Sequence, residues 1–90
     1  MYKVVSSNLF KKDLKTARKR GLNISLLEDV VFKLARGETL PERNCDHLLQ
    51  GEFAGYRECH IKPNWLLIYK YHNDDLILLL SRTGTHSDLF

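Results

Sequence analysis

No stretch of this 90-residue chain approaches the roughly 20 consecutive apolar residues that a membrane helix requires, which excludes a helical membrane protein. The opening residues, MYKVVSSNLF, hold neither an apolar signal core nor a small-residue cleavage site, so the sequence predicts a protein of the cytoplasm. Cysteine is scarce. Cys45 and Cys59 are the only two, and in a small chain without an export signal they read as reduced thiols rather than a structural disulfide. A zinc site built from Cys45, His47, Cys59 and His60 lacks the paired spacing of zinc ligands. Cys59 and His60 are also neighbours on one strand and should point to opposite faces, so no metal and no cofactor is expected. There is no repeat, low-complexity tract or internal linker, and the length allows a single domain spanning residues 1–90.

The charge is uneven. Residues 1–40 carry nine Lys or Arg against four Asp or Glu, whereas residues 41–90 carry five against seven. The N-terminal half therefore holds the positive field, which suits a polyanionic partner such as RNA. A solvated helix face accounts for the same charges equally well.

Tyr2 to Val5 is a short β-prone run, and Ser6, Ser7 or Asn8 can cap the helix that follows. From Asn8 to Arg20 the apolar residues Leu9, Phe10, Leu14 and Ala17 recur at helical spacing among six cations, and Gly21 ends the pattern. Ser25 to Glu28 fits a capping box opening a second helix, whose stripe Leu26, Leu27, Val30, Val31 and Leu34 should face a sheet. Gly37 closes it and Pro41 prevents its return. Pro41 to Gly55 reads as an irregular loop that carries His47. Tyr56 to Tyr71 is a hairpin turning at Lys62-Pro63-Asn64, with Arg57, Cys59 and Ile61 on one face and Tyr56, Glu58, His60 and Lys62 on the other. His72 to Asp75 is a polar turn, and Leu76 to Arg82 is an apolar run suited to a strand buried on both faces. The predicted class is α+β in the order β-α-α-β-β-β, with two N-terminal helices packed on one face of a mostly antiparallel sheet and the first strand beside the last.

His47, His60 and His86 each read, alone, as structural histidines, and His72 as a solvated one. Together the first three fit one reaction. Cleaving RNA through attack by its own 2′-hydroxyl needs a proton acceptor, a proton donor for the departing 5′-oxygen, and positive charge on the phosphate. Histidine suits either proton role because its ordinary pKa lies near working pH. Arg57, Lys62 and Arg82 are candidates for the charge. Asn64 can hydrogen-bond a ribose or phosphate, and the terminal Phe90 can stack on a base or dock into the core.

The pattern His47-x-Leu-x-Gly51, then Tyr56-Arg57-Glu58-x-His60-x-x-Pro63-x-Trp65 with Leu67-Ile68-Tyr69, then Arg82-Thr83-Gly84-Thr85-His86-x-x-Leu89-Phe90, resembles the YafQ branch of the RelE/ParE toxin superfamily across essentially the whole chain. The resemblance implies the RelE-like microbial RNase fold. It also implies a type II toxin: a ribosome-dependent endoribonuclease that enters the A site beside ribosomal RNA, cuts mRNA and is held inactive by a cognate antitoxin protein. By the same resemblance, His86 is the general acid, His47 and His60 accept the proton or stabilise the transition state, and Phe90 orients the message. One position departs: relatives of this branch commonly place an aspartate before the tryptophan, where this chain has Asn64. An amide cannot accept a proton at neutral pH, so that role passes to His47 or His60. Two rival readings share the fold: a non-catalytic gyrase-inhibiting protein, and an inactive antitoxin-binding regulator.

Overall fold

A computed structural model describes residues 1–90 of the chain. Strand β1 (Lys3–Ser6) leads into helix α1 (Asn8–Lys19), then α2 (Ile24–Ala35), the two-residue strand β2 (His47–Leu48), β3 (Arg57–Lys62), β4 (Trp65–His72), β5 (Ile77–Gly84) and a single-turn helix α3 (His86–Leu89). The strands form one sheet in the order β1-β5-β4-β3-β2. All pairs are antiparallel except β1 with β5, which run parallel from Lys3 opposite Ile77 to Ser6 opposite Leu80. No helix is long and apolar enough to cross a membrane.

Ser7 fixes the passage from strand to helix. Its hydroxyl oxygen accepts from the Phe10 N–H at 3.0 Å, capping α1, and its hydroxyl donates to the Ser81 carbonyl at 2.7 Å, clipping that cap to β5. Gly21 adopts φ +76°, and the Leu22 N–H returns to the Ala17 carbonyl at 3.1 Å, so the helix ends where only glycine sits without strain. The capping box expected at Ser25 is not the start of α2. Asn23 caps it, accepting from the Ser25 N–H at 3.1 Å and from the Ser25 hydroxyl at 2.6 Å, so that hydroxyl is already spent on the cap.

On the helix side of the sheet, Phe10, Ala17, Leu27, Val30 and Leu34 bury against Cys59, Trp65, Leu67, Tyr69, Leu78 and Leu80. Strand β5 is not buried on both faces as its composition suggests. Leu78 and Leu80 face the helices and are buried, while Ile77 and Leu79 are only half-buried, because the opposite face is covered only further along, by Leu89. That second, smaller cluster joins Leu66, Ile68 and Leu89, with Leu49, Phe53 and Tyr56 packed against it. The segment from Pro41 to Gly55 is more ordered than a loop: two 3-10 turns, Glu42–Asn44 and Gly51–Phe53, flank β2, which pairs His47 with Glu58 and Leu48 with Arg57. The hairpin turn is Pro63-Asn64, and His72 is exposed beside its polar turn.

Both cysteines are free thiols, Cys45 exposed and Cys59 with 0 % of its surface accessible. Burial chiefly, with Asp46 and Glu58 adding to it, pushes the Cys59 thiol up to about 12. The folded protein should therefore react rapidly with one equivalent of a thiol-specific chromogen, and with two after denaturation. Rapid reaction of two thiols in the native state would contradict this placement.

Candidate active site

Alternation along β3 sends Glu58 and His60 to the face away from the helices, and β2 sets His47 directly across from Glu58. The Glu58 side chain is 8 % exposed, and its Oε1 lies 3.7 Å from His47 Nε2 and 3.5 Å from His60 Nε2. His47 Nδ1 lies 2.6 Å from the Cys45 carbonyl oxygen. A carbonyl only accepts, so Nδ1 carries the hydrogen and Nε2 is the nitrogen left to take a further proton. That nitrogen faces the carboxylate.

The turn carrying His47 is held from two sides. The Asn44 amide, buried, donates from Nδ2 to the His60 carbonyl at 2.7 Å. Asp46 Oδ1 accepts from the Tyr69 hydroxyl at 2.6 Å and from Arg57 Nε at 3.2 Å. Burial first, and the Asp46 carboxylate second, push the Tyr69 phenol upward, so it stays a donor. Arg57, expected from sequence at the phosphate, is therefore not with the histidines. As the neighbour of Glu58 on a strand it points to the other face, where it secures Asp46. Asn44 and Asp46 carried no signal in the sequence, whereas Glu58 stood in the Tyr56-Arg57-Glu58 motif and shared its strand parity with His60.

His86 opens α3 and is exposed, its ring 4.9 Å from that of Phe90 at an interplanar angle of 32°. Phe90 in turn meets Phe53 at 5.6 Å and Phe53 meets Tyr56 at 6.1 Å. Phe90 both docks and stays open: it touches Phe53 yet is 54 % exposed, leaving a ring surface for a base. Leu66 pairs with His60 on one side and with Gly84 on the other. His60 and Gly84 are thus two strand spacings, about 10 Å, apart, with His86 two residues further on. His47 and His60 thus flank Glu58 on the open face of the sheet, His86 stands on the turn of helix that follows β5, and none of the three principal cavities is lined by a histidine.

The other sequence candidates gather next door. Lys62, Asn64 and Arg82 line a cavity of about 400 Å³ at the end of the sheet, together with Asp13 and Thr16 of α1 and Arg20, which caps the C-terminus of α1. Arg82 is forked onto Asp13, Nε to Oδ2 at 2.7 Å and Nη2 to Oδ1 at 3.1 Å, while Lys62 and Asn64 are exposed. No group of three or more His, Cys, Asp or Glu side chains is arranged to hold a metal ion.

Asn44→Ala should lower stability by about 1–3 kcal/mol, because the His60 carbonyl loses its buried donor and the His47 turn its tether. An unchanged urea midpoint would show that the turn is held without it.

The family model described as "Bacterial toxin of type II toxin-antitoxin system, YafQ" matches residues 2–90. The "mRNA interferase toxin YafQ" of Escherichia coli strain K12 is 41% identical over 85 residues, 93% of this chain and 90% of that protein. The "Putative toxin YafQ" of Haemophilus influenzae is 39% identical over 90 residues, 94% of this chain and 88% of that one. A metal-bound toxin from Helicobacter pylori superposes with a TM-score of 0.94 at 41% identity over 100% of both chains. YafQ in the E. coli DinJ-YafQ complex does so at 0.90 and 38%, over 100% of this chain and 99% of that chain. With the family model matched over residues 2–90 and the fold superposed end to end on solved YafQ structures, the chain belongs to the YafQ family of bacterial type II toxin–antitoxin toxins.

Proposed function

We propose that this chain is an mRNA endoribonuclease that cuts on the ribosome by acid–base catalysis, yielding a 2′,3′-cyclic phosphate and a 5′-hydroxyl. The observation that supports the reading is that His47 and His60 flank one carboxylate, while His86 lies open beside Phe90 just beyond the neighbouring strand β5. The 2′-hydroxyl proton passes to the His47–His60 side, where His47 Nε2 is the nitrogen left free by the Cys45 carbonyl. Glu58 then stabilises the imidazolium that forms, supplying from β3 the carboxylate that Asn64 does not. His86 donates a proton to the departing 5′-oxygen. Lys62 and the guanidinium edge of Arg82 not held by Asp13 lend charge to the phosphate, Asn64 a hydrogen bond, and Phe90 a stacking surface.

The exposed cations Lys11, Lys12, Lys15, Arg18 and Lys19 of α1 suit a grip on ribosomal RNA at the A site, an attraction that weakens with salt. The ribosome supplies positioning of the message, which lets few side chains suffice. The site of action is the cytoplasm, and an antitoxin protein is the cognate partner, as DinJ is for YafQ in the E. coli complex.

Incubating the protein with translating ribosomes and mapping mRNA 5′ ends tests the reading. His86→Gln should slow cleavage by about a hundredfold or more, the ordinary worth of a positioned general acid. Intact mRNA with the unaltered protein would favour a non-catalytic binding protein of the same fold, whereas full cleavage by the variant would remove His86 from the role of general acid.

A further inference from the structure

A four-residue helix has no stability of its own, so whatever aims His86 must come from outside α3. Leu89 anchors one side in the Leu66 and Ile68 cluster. Asp88 anchors the other. Its Oδ2 accepts from Arg20 Nη1 at 2.6 Å and from the Thr85 N–H at 2.9 Å, and its Oδ1 accepts from Arg20 Nη2 at 3.1 Å. The Thr85 hydroxyl answers by accepting from the Asp88 N–H at 3.1 Å. One carboxylate therefore closes the cap of α3 and ties it to the end of α1.

Arg20 does not act alone on this segment. Asp13 of α1 and its C-cap Arg20 are seven residues apart, two turns or about 10 Å along one helix face. Asp13 holds Arg82 before the turn and Arg20 holds Asp88 after it, two forked ion pairs of opposite polarity. A slip of the segment by one pair would set like charges together, so the arrangement selects a single register. Gly84 leaves the room this needs: a Cβ there would lie 2.9 Å from Asp88 Oδ2 and 3.1 Å from Asp88 Cβ. Arg20, first, and then the Thr85 N–H hold the Asp88 carboxyl well below the usual carboxylate range, so the pair stays charged wherever histidine titrates.

Exposed ion pairs contribute little to global stability, and Arg20 and Asp88 are both substantially exposed. Their effect is local, because His86 lies two residues before Asp88 and Phe90 two after. We propose that Arg20, acting through Asp88, is a positioning residue that sets the orientation of His86 against Phe90 and thereby the rate of the chemical step. The orientation half stands on geometry; the rate half rests on the nuclease reading above.

The test compares Arg20→Met and Arg20→Lys with the unaltered protein, by NMR of the histidine ring protons and by cleavage of ribosome-bound message. In Arg20→Met the ring-current displacement that Phe90 imposes on His86 should collapse, with His47 and His60 resonances and the urea midpoint unchanged. The value of kcat should fall about ten- to a hundredfold with KM within about twofold, and Arg20→Lys should recover part of both signals. Gly84→Ala, which displaces Asp88 while leaving Arg20 in place, should give the same signature. Unchanged His86 resonances and kcat in Arg20→Met, or a variant that fails to fold, would overturn the proposal. Displaced resonances with no cleavage even by the unaltered protein would uphold the clamp and sink the nuclease reading instead.

Discussion

The Glu58 carboxylate is the charge around which the site closes. The Glu58 side chain is largely buried, and two imidazoles from neighbouring strands stand 3.7 and 3.5 Å from its Oε1, where a protonated ring would be stabilised by the carboxylate. That arrangement requires β2 to exist, although two residues are too few to form a strand on their own. Asn44 and Asp46 supply what the ladder cannot, one tying the turn to the backbone of β3 and the other to side chains on the far face. Pairing, turn and carboxylate therefore stand or fall together.

Helix α1 serves both the fold and the site. Phe10 and Ala17 are buried in the core, Lys11, Lys12 and Lys15 point to solvent, and Asp13 and Arg20 grip the C-terminal segment. The division follows from helical periodicity: three faces, three tasks. It also explains why the basic composition of the N-terminal half overstates the free charge, since Arg20 is occupied by Asp88.

What was legible in the sequence is what depends on periodicity. The two helices, the hairpin turning at Pro63-Asn64 and the polar turn before β5 all follow from spacing and turn residues that act over a few positions. Ser7 was among three candidate caps, and only its second bond to β5 singles it out. Strand β2 and helix α3 were missed, because each depends on a partner distant in sequence: β2 on Glu58 and Arg57, α3 on Arg20 and Leu66; the Asn23 cap is local, and was missed because Ser25 offered a cap pattern of its own two residues on. At the site, the three histidines could be named, but the meeting of His47 and His60 at Glu58 could not be derived from local pattern. Arg57 was placed at the phosphate by charge alone, while the alternation already noted for β3 put it on the opposite face from His60.

A structure of the protein on a ribosome whose A-site message carries 2′-O-methyl riboses, which cannot attack, measures the central geometry directly. The account predicts one phosphate with His86 at its 5′-oxygen, and with His47 or His60 at the blocked 2′-oxygen. A message that runs past the Arg57 face, or that leaves His86 more than one water away from any 5′-oxygen, would contradict it.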